Sequence, residues 1–206
     1  MPAPPATLTP MGTSSSFLLE FLRDPRSTAA IAPSSRRLAE RMVEGIDFPS
    51  VRSIVEYGPG TGVFTRAVLE RCRQAPREDR VFLAVEKNQR LAERLAASEP
   101  SVRVHHGDAL EIDRLCADAG LDGVDFVLSG LGWPSLPAPV REGILERTAT
   151  LLRPGGEFRT FGYHIGLLMR GAWEFRRTVR RLFREVTISP VVWGNLPPAF
   201  VYKCVR

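Results

Sequence analysis

Three short stretches of this 206-residue chain combine glycines and acids in a way that suits a nucleoside-bearing ligand. The first is Glu56-Tyr-Gly-Pro-Gly-Thr-Gly62, in which Gly58, Gly60 and Gly62 alternate as G-x-G-x-G. Glycines let a backbone turn sharply and approach a ligand closely. The free N–H groups of a following helix add donors at the same place. Such a loop alone also suits a plain tight turn between a strand and a helix. The second is Glu86, 24 residues beyond Gly62, where an acid can accept both hydroxyls of a ribose. The third is Asp108-Ala109, after His105-His106-Gly107, where a carboxylate can meet the exocyclic amine of an adenine. His105 and His106 fall inside a strand pattern and receive no catalytic role.

These residues need elements that bring them to one edge. Apolar runs at 51–58, 80–88, 101–108, 124–130 and 157–163 read as strands, and helical periodicity fills the gaps between them. RPGG at 153–156 reads as a turn, and 166–185 as one long helix. Two last strands, 185–193 and 199–206, flank the turn Gly-Asn-Leu-Pro-Pro with no helix between them, so they must pair as a hairpin. The pattern predicts an α/β fold: a doubly wound, Rossmann-like, seven-stranded sheet with a C-terminal antiparallel hairpin strand. The glycine loop and both acids then share the carboxyl edge, where open α/β sheets bind ligands. Ahead of this domain, at 47–206, lies a 1–46 extension. It has a Pro-rich start, a helix pattern on Phe17, Leu18, Phe21 and Leu22, and a second helix over 36–46 capped by Ser34 or Ser35.

Composition narrows the class. With 44% apolar and 25% charged residues the chain is globular, and no stretch approaches the roughly 18–20 apolar residues of a membrane span. Met1–Ser16 lacks the pattern of a cleaved secretory signal, and Cys72, Cys116 and Cys204 fit a reducing compartment with no metal-ligand spacing. The net charge of +5 is unevenly placed. Residues 1–135 hold 16 basic and 18 acidic side chains, whereas 136–206 hold 12 and 5. The C-terminal third therefore carries the whole excess, which suits an anionic partner such as a nucleic acid or a lipid surface.

From about residue 50 onward this series resembles the class I S-adenosylmethionine-dependent methyltransferases. Four segments narrow the likeness: FLRDPRSTAAIAPSSRRLAERM at 21–42, VEYGPGTGVFTR at 55–66, VLSGLGWPSLP at 127–137 and VVWGNLPPAFVY at 191–202. Together they resemble the bacterial phospholipid N-methyltransferases, a branch close to the rRNA adenine dimethylases. The resemblance implies S-adenosylmethionine as cofactor. Glu56, Gly58, Gly60 and Gly62 would face its methionine part, Glu86 its ribose, and Asp108 and Ala109 its adenine. It also implies an aminophospholipid as methyl acceptor, of the phosphatidylethanolamine type, with an rRNA adenine or a small amine as the alternative.

The segment after strand 4 separates lipid from RNA. Adenine methyltransferases place Asn/Asp-Pro-Pro-Tyr there, to bond and stack a flipped base. This chain has Ser129-Gly130-Leu131-Gly132-Trp133, which argues against nucleic acid. Ser129, Gly130 and Trp133 are the candidate catalytic residues, although the family has Pro where this chain has Gly132. Asn195-Leu196-Pro197-Pro198 looks similar to the adenine motif but falls on a turn. Tyr57, Trp133, Tyr163 and Trp193 are aromatic candidates for a cationic amine, and His164 for a proton acceptor. Leu168, Ala172, Phe175, Val179 and Leu182 form an apolar stripe, with arginines on another face. Such a helix suits peripheral binding to an anionic membrane from the cytoplasmic side. The sequence carries no signal for oligomeric state.

Overall fold

The computed structural model describes residues 34–206. The Phe17–Leu22 helix pattern and most of the 1–46 extension lie outside the described residues. The first element is α1, Arg36–Val43, capped by Ser35, whose Oγ accepts the Leu38 N–H at 3.2 Å. It buries Leu38, Ala39, Met42 and Val43, and it ends before Gly45, whose φ of 72° breaks the helix ahead of the expected residue 46.

The alternation then runs as the periodicity predicts. β1 (Ser53–Tyr57), α2 (Val63–Gln74), β2 (Val81–Glu86), α3 (Gln89–Ser98) and β3 (Arg103–His106) follow one another. A 3-10 turn at Ala109–Glu111 leads into α4 (Ile112–Asp118), then β4 (Val124–Ser129), a 3-10 turn at Trp133–Ser135, α5 (Ala138–Leu151) and β5 (Leu152–Tyr163). A 3-10 turn at His164–Leu168, α6 (Arg170–Leu182), β6 (Glu185–Ile188) and β7 (Ala199–Val205) complete the chain. The seven strands order as β3-β2-β1-β4-β5-β7-β6. β1 to β5 pair in parallel, and β7 is antiparallel to both β5 and β6.

Every residue of β1 is buried, as a central parallel strand covered on both faces requires, and this includes the polar Ser53 and Glu56. Helices cover both faces. On one side α1, α2 and α3 pack with Phe64, Leu95, Phe126 and Val201; on the other α4, α5 and α6 pack with Ile112, Leu145, Phe158 and Phe175.

Three expectations change. The RPGG turn is a bulge inside β5: Leu152 pairs with Val124 and Glu157 with Phe126, and Gly155 takes φ 81°. The chain end draws it into the sheet, because Gly155 N–H donates to the Arg206 carbonyl and Arg206 N–H to that of Gly156. The 166–185 helix splits at Met169, which is extended, so Leu168 leaves the apolar stripe and is 87% exposed, whereas Phe175 and Val179 are buried. β6 stops before Ser189-Pro190, and Val192 rejoins only through a single bridge to Ala199.

One contact couples the ends of β1 and β4. Gly130 N–H donates to the Tyr57 carbonyl at 2.8 Å, and a Cβ on Gly130 would lie 2.5 Å from the Gly58 carbonyl oxygen. Gly132, two residues on, has open space around its Cβ position. Gly130→Ala should therefore destabilise the protein by roughly 1–3 kcal/mol, as overpacking against backbone does, while Gly132→Ala stays within about 0.5 kcal/mol. Thermal unfolding of the two variants checks the contrast.

Candidate active site

The glycine loop crosses the carboxyl edge between β1 and α2. Gly58, Gly60 and Gly62 all take positive φ, at 61°, 55° and 77°. At Gly60 a Cβ would meet nothing within 4 Å, so the loop leaves open room on its outer side. Gly62 also precedes α2 with no side-chain cap, which leaves the first N–H groups of that helix to other acceptors.

Glu56 sits at the floor of this loop and is fully buried. Its Oε2 accepts the Thr65 hydroxyl at 2.7 Å, from the first turn of α2, while its Oε1 has no partner. Burial pushes its pKa from the ordinary 4.5 up to about 8, against the Thr65 hydrogen bond, and the nearby Glu86 charge adds to the rise. A desolvated, half-partnered carboxyl is well suited to a cation brought close to it.

The other two acids lie on neighbouring strand ends. Glu86 is buried and ties β2 to the loop: its Oε2 accepts Gly60 N–H at 3.0 Å and its Oε1 accepts Asn88 N–H at 2.9 Å. Asp108 follows β3. Its Oδ1 accepts Leu110 N–H at 3.0 Å and its Oδ2 takes the Lys87 ammonium at 2.9 Å. The Leu110 N–H first, then Lys87, hold this carboxyl below the usual range. Ala109, buried beside it, opens the 3-10 turn. Glu56, the glycines, Glu86, Asp108 and Ala109 thus come together on one edge.

The acceptor candidates divide. Ser129 is buried, its Oγ accepting Leu131 N–H at 3.2 Å and its carbonyl accepting the Thr160 hydroxyl at 3.0 Å. Gly130 packs on the glycine loop. Trp133 is 1% exposed; its indole N–H donates to Thr160 Oγ1 at 2.9 Å and its ring lies 5.3 Å from Phe175 and 5.8 Å from Phe158. It anchors the segment after β4 from beneath and forms no part of an open wall. Tyr57 is likewise in the core, its hydroxyl 3.1 Å from Thr148 Oγ1. Tyr163 is half-buried with its ring edge-to-face on Phe161, and His164 is exposed beside Trp193, 5.9 Å between ring centres. Gly132 has φ −78°, inside the range of proline, so the loop keeps the shape that the family's Pro would impose.

Thr65 and Thr160 were not singled out by sequence. Thr65 carried a signal, since it sits on the first turn after the glycine loop. Thr160 had none, because its role comes from its register opposite Ser129.

The donor set suits S-adenosylmethionine. The orphaned Glu56 oxygen answers a cationic methionine end, the open side of Gly60 admits a ligand against the backbone, and Glu86 and Asp108 follow at the two next strand ends. When bound, that cofactor supplies a methyl group on a sulfonium.

Comparisons bear on the family and the fold. The model of the ribosomal RNA adenine dimethylase family matches residues 16–119. An ornithine lipid N-methyltransferase of Singulisphaera acidiphila is 30% identical over 193 residues, which is 91% of this chain and 93% of that protein. A ribosomal RNA small subunit methyltransferase A of Prosthecochloris aestuarii is 29% identical over 119 residues, covering 58% of this chain and 42% of the relative. Among solved structures, an O-methyltransferase from Bacillus cereus in complex with SAH superposes with a TM-score of 0.64 at 16% identity, over 97% of this chain and 93% of that one.

Glu86→Ala should weaken S-adenosylmethionine binding by about tenfold or more, read by calorimetry, since it removes a buried charged acceptor. Glu56 has a raised pKa, so the folded protein keeps a proton that the unfolded chain has lost between 4.5 and about 8. Its effect on stability is therefore unfavourable as pH rises through that window, and a cation bound beside it should release the proton. Wild type should bind the cofactor more tightly from about pH 6 to 8 with proton release, and Glu56→Gln should lose both.

Proposed function

The chain belongs to the ribosomal RNA adenine dimethylase family of S-adenosylmethionine-dependent methyltransferases, and on that premise we propose that it methylates the amine of an aminolipid, of the phosphatidylethanolamine type. The observation that carries this reading is the segment after β4. A base-flipping enzyme needs an amide or acid and a stacking ring on that loop. Here Ser129 stands first and its hydroxyl is bonded within the loop, while the nearest aromatic, Trp133, is buried and held by Thr160. The Asn-Leu-Pro-Pro run does not replace it: Asn195 is buried, accepts Ser35 N–H at 2.9 Å and donates to the Pro197 carbonyl at 2.7 Å. It staples the β6–β7 connection to α1.

The relatives support the same choice. The likeness to the ornithine lipid enzyme runs over nearly the whole of both chains, whereas the likeness to the ribosomal RNA enzyme covers 42% of that protein. A lipid amine is also within reach of this chemistry. Methyl transfer to an amine is an in-line displacement, so most of the rate comes from holding the nitrogen and the methyl carbon in line. The Gly58–Gly130 contact fixes the cofactor loop against the acceptor loop for that purpose. The nitrogen must be neutral to attack; desolvation lowers the pKa of an amine, whereas carboxylates beside it raise it, so the reading requires the acceptor amine to sit in a dry place away from Glu56, Glu86 and Asp108.

Reaching such a substrate calls for peripheral binding to an anionic membrane, on its cytoplasmic face. The exposed arginines of α6 support it. Labelled S-adenosylmethionine, offered with phosphatidylethanolamine vesicles, ornithine lipid vesicles and unmodified rRNA, tests the function. Label should enter the phosphatidylethanolamine; label confined to ornithine lipid would change the headgroup, and label in rRNA would overturn the reading. Flotation should show salt-sensitive binding to anionic vesicles, and equal binding to neutral ones at low salt would contradict the charge attraction.

A further inference from the structure

Among the described residues, most of the strongly exposed large apolar side chains gather around one corner of the site edge. Leu168 is 87% exposed, Trp193 72%, Trp173 67% and Leu196 53%. Contacts join the segments that bear them. Leu168 ends the 3-10 turn that follows β5, and the His164 of that turn rests on Trp193. His164 N–H also donates to the Pro198 carbonyl at 2.8 Å, in the loop that carries Leu196. Trp173, on the first turn of α6, donates its indole N–H to the Leu167 carbonyl at 2.9 Å. β5 ends and β7 begins at this corner, so it lies on the same sheet edge as the glycine loop.

We propose that Leu168, Trp173, Trp193 and Leu196 form the surface by which the protein inserts into a lipid bilayer, with an arginine stripe of α6 lying along the headgroups. The inference rests on the aminolipid reading above and names the surface that reading leaves open.

Charge complementarity selects the bilayer as occupant. Trp173, Arg177, Arg180 and Arg184 follow a 4-3-4 spacing, which puts them on one side of α6 and just past its end, and all four are exposed. None of the three arginines is in a salt bridge among the described residues. On the opposite side Phe175 and Val179 are buried in the core. One helix thus leads from an apolar tip to a row of free cations, the order a bilayer presents from acyl chains to anionic headgroups. The Trp173 indole can leave water without an unmet donor, because the Leu167 carbonyl already takes its N–H. Insertion at this tip also serves the substrate. The first turn of α6 lies directly on the acceptor segment, where a Cβ on Gly171 would overlap the Pro134 carbonyl oxygen.

Tryptophan fluorescence tests the surface on the full chain. Of the three tryptophans, Trp133 is buried, so a change on binding reports Trp173 and Trp193. Vesicles of phosphatidylethanolamine and phosphatidylglycerol with brominated acyl chains should quench both, as Trp173→Phe and Trp193→Phe variants resolve singly. Leu168→Glu and Trp173→Glu should lower vesicle partition by about tenfold or more. They should leave S-adenosylmethionine affinity unchanged, which shows that the variants are folded, and should leave methylation of lipid in detergent micelles unchanged. Vesicle binding without quenching would overturn the proposal, and so would indoles whose shielding depends on protein concentration (a second copy) or is complete before vesicles are added (residues 1–33). Quenching with no methylation of any micellar lipid would uphold the surface and remove the aminolipid reading instead.

Discussion

Two backbones touching at the carboxyl edge set the rest of the site. Gly58 N–H donates to the Val85 carbonyl at 2.9 Å, and Gly130 N–H donates to the Tyr57 carbonyl at 2.8 Å. The glycine loop is thereby hung between β2 and the segment after β4. The approach leaves no room for a Cβ on either glycine: one on Gly58 would lie 2.8 Å from Leu131 Cδ2, and one on Gly130 would strike the Gly58 carbonyl. The spacing between the glycine loop and the segment after β4 is thus a property of the main chain. Residues around it, such as Gly132 in place of proline, can change without altering it.

Electrostatics follows from where those strand ends lead. The cofactor edge gathers Glu56, Glu86 and Asp108, and each is conditioned differently. Glu56 is stripped of water and holds a proton easily, whereas Asp108 is kept ionised by a backbone N–H and Lys87. A buried carboxyl with a free oxygen is destabilising by itself and is offset when a cation arrives, the usual exchange of stability for binding at functional sites. The surplus of positive charge sits elsewhere, in the C-terminal third, with α6 presenting it outward. The net +5 is therefore two opposed features, an acidic edge that suits a cationic cofactor and a basic helix that we propose faces an anionic surface.

Much of this was legible in the sequence because it is local. The glycine alternation, the acids closing strands 2 and 3, and the missing helix before the last strand each lie within a few residues, and the parallel, doubly wound character follows from connection rules, whereas the strand order comes from the structure. What was not legible depends on partners far away along the chain. Trp133 reads as a wall residue because it follows a strand, but Phe158, Thr160 and Phe175 bury it. Leu168 fits an apolar stripe by spacing, and Met169 takes it off the helix. RPGG reads as a turn, and only pairing with Arg206 pulls it into β5. Trp173 and Trp193 are residues whose exposure only the three-dimensional arrangement reveals.

The glycine loop and the segment after β4 form one unit through their backbones. Hydrogen exchange of the full chain with and without S-adenosylhomocysteine addresses it directly. Amides at 57–62, 86–88 and 108–110 should slow on binding, and those at 129–133 should slow with them although they lie beyond the three cofactor-binding strand ends. Protection that stops at the first three segments and leaves 129–133 unchanged would contradict the coupling.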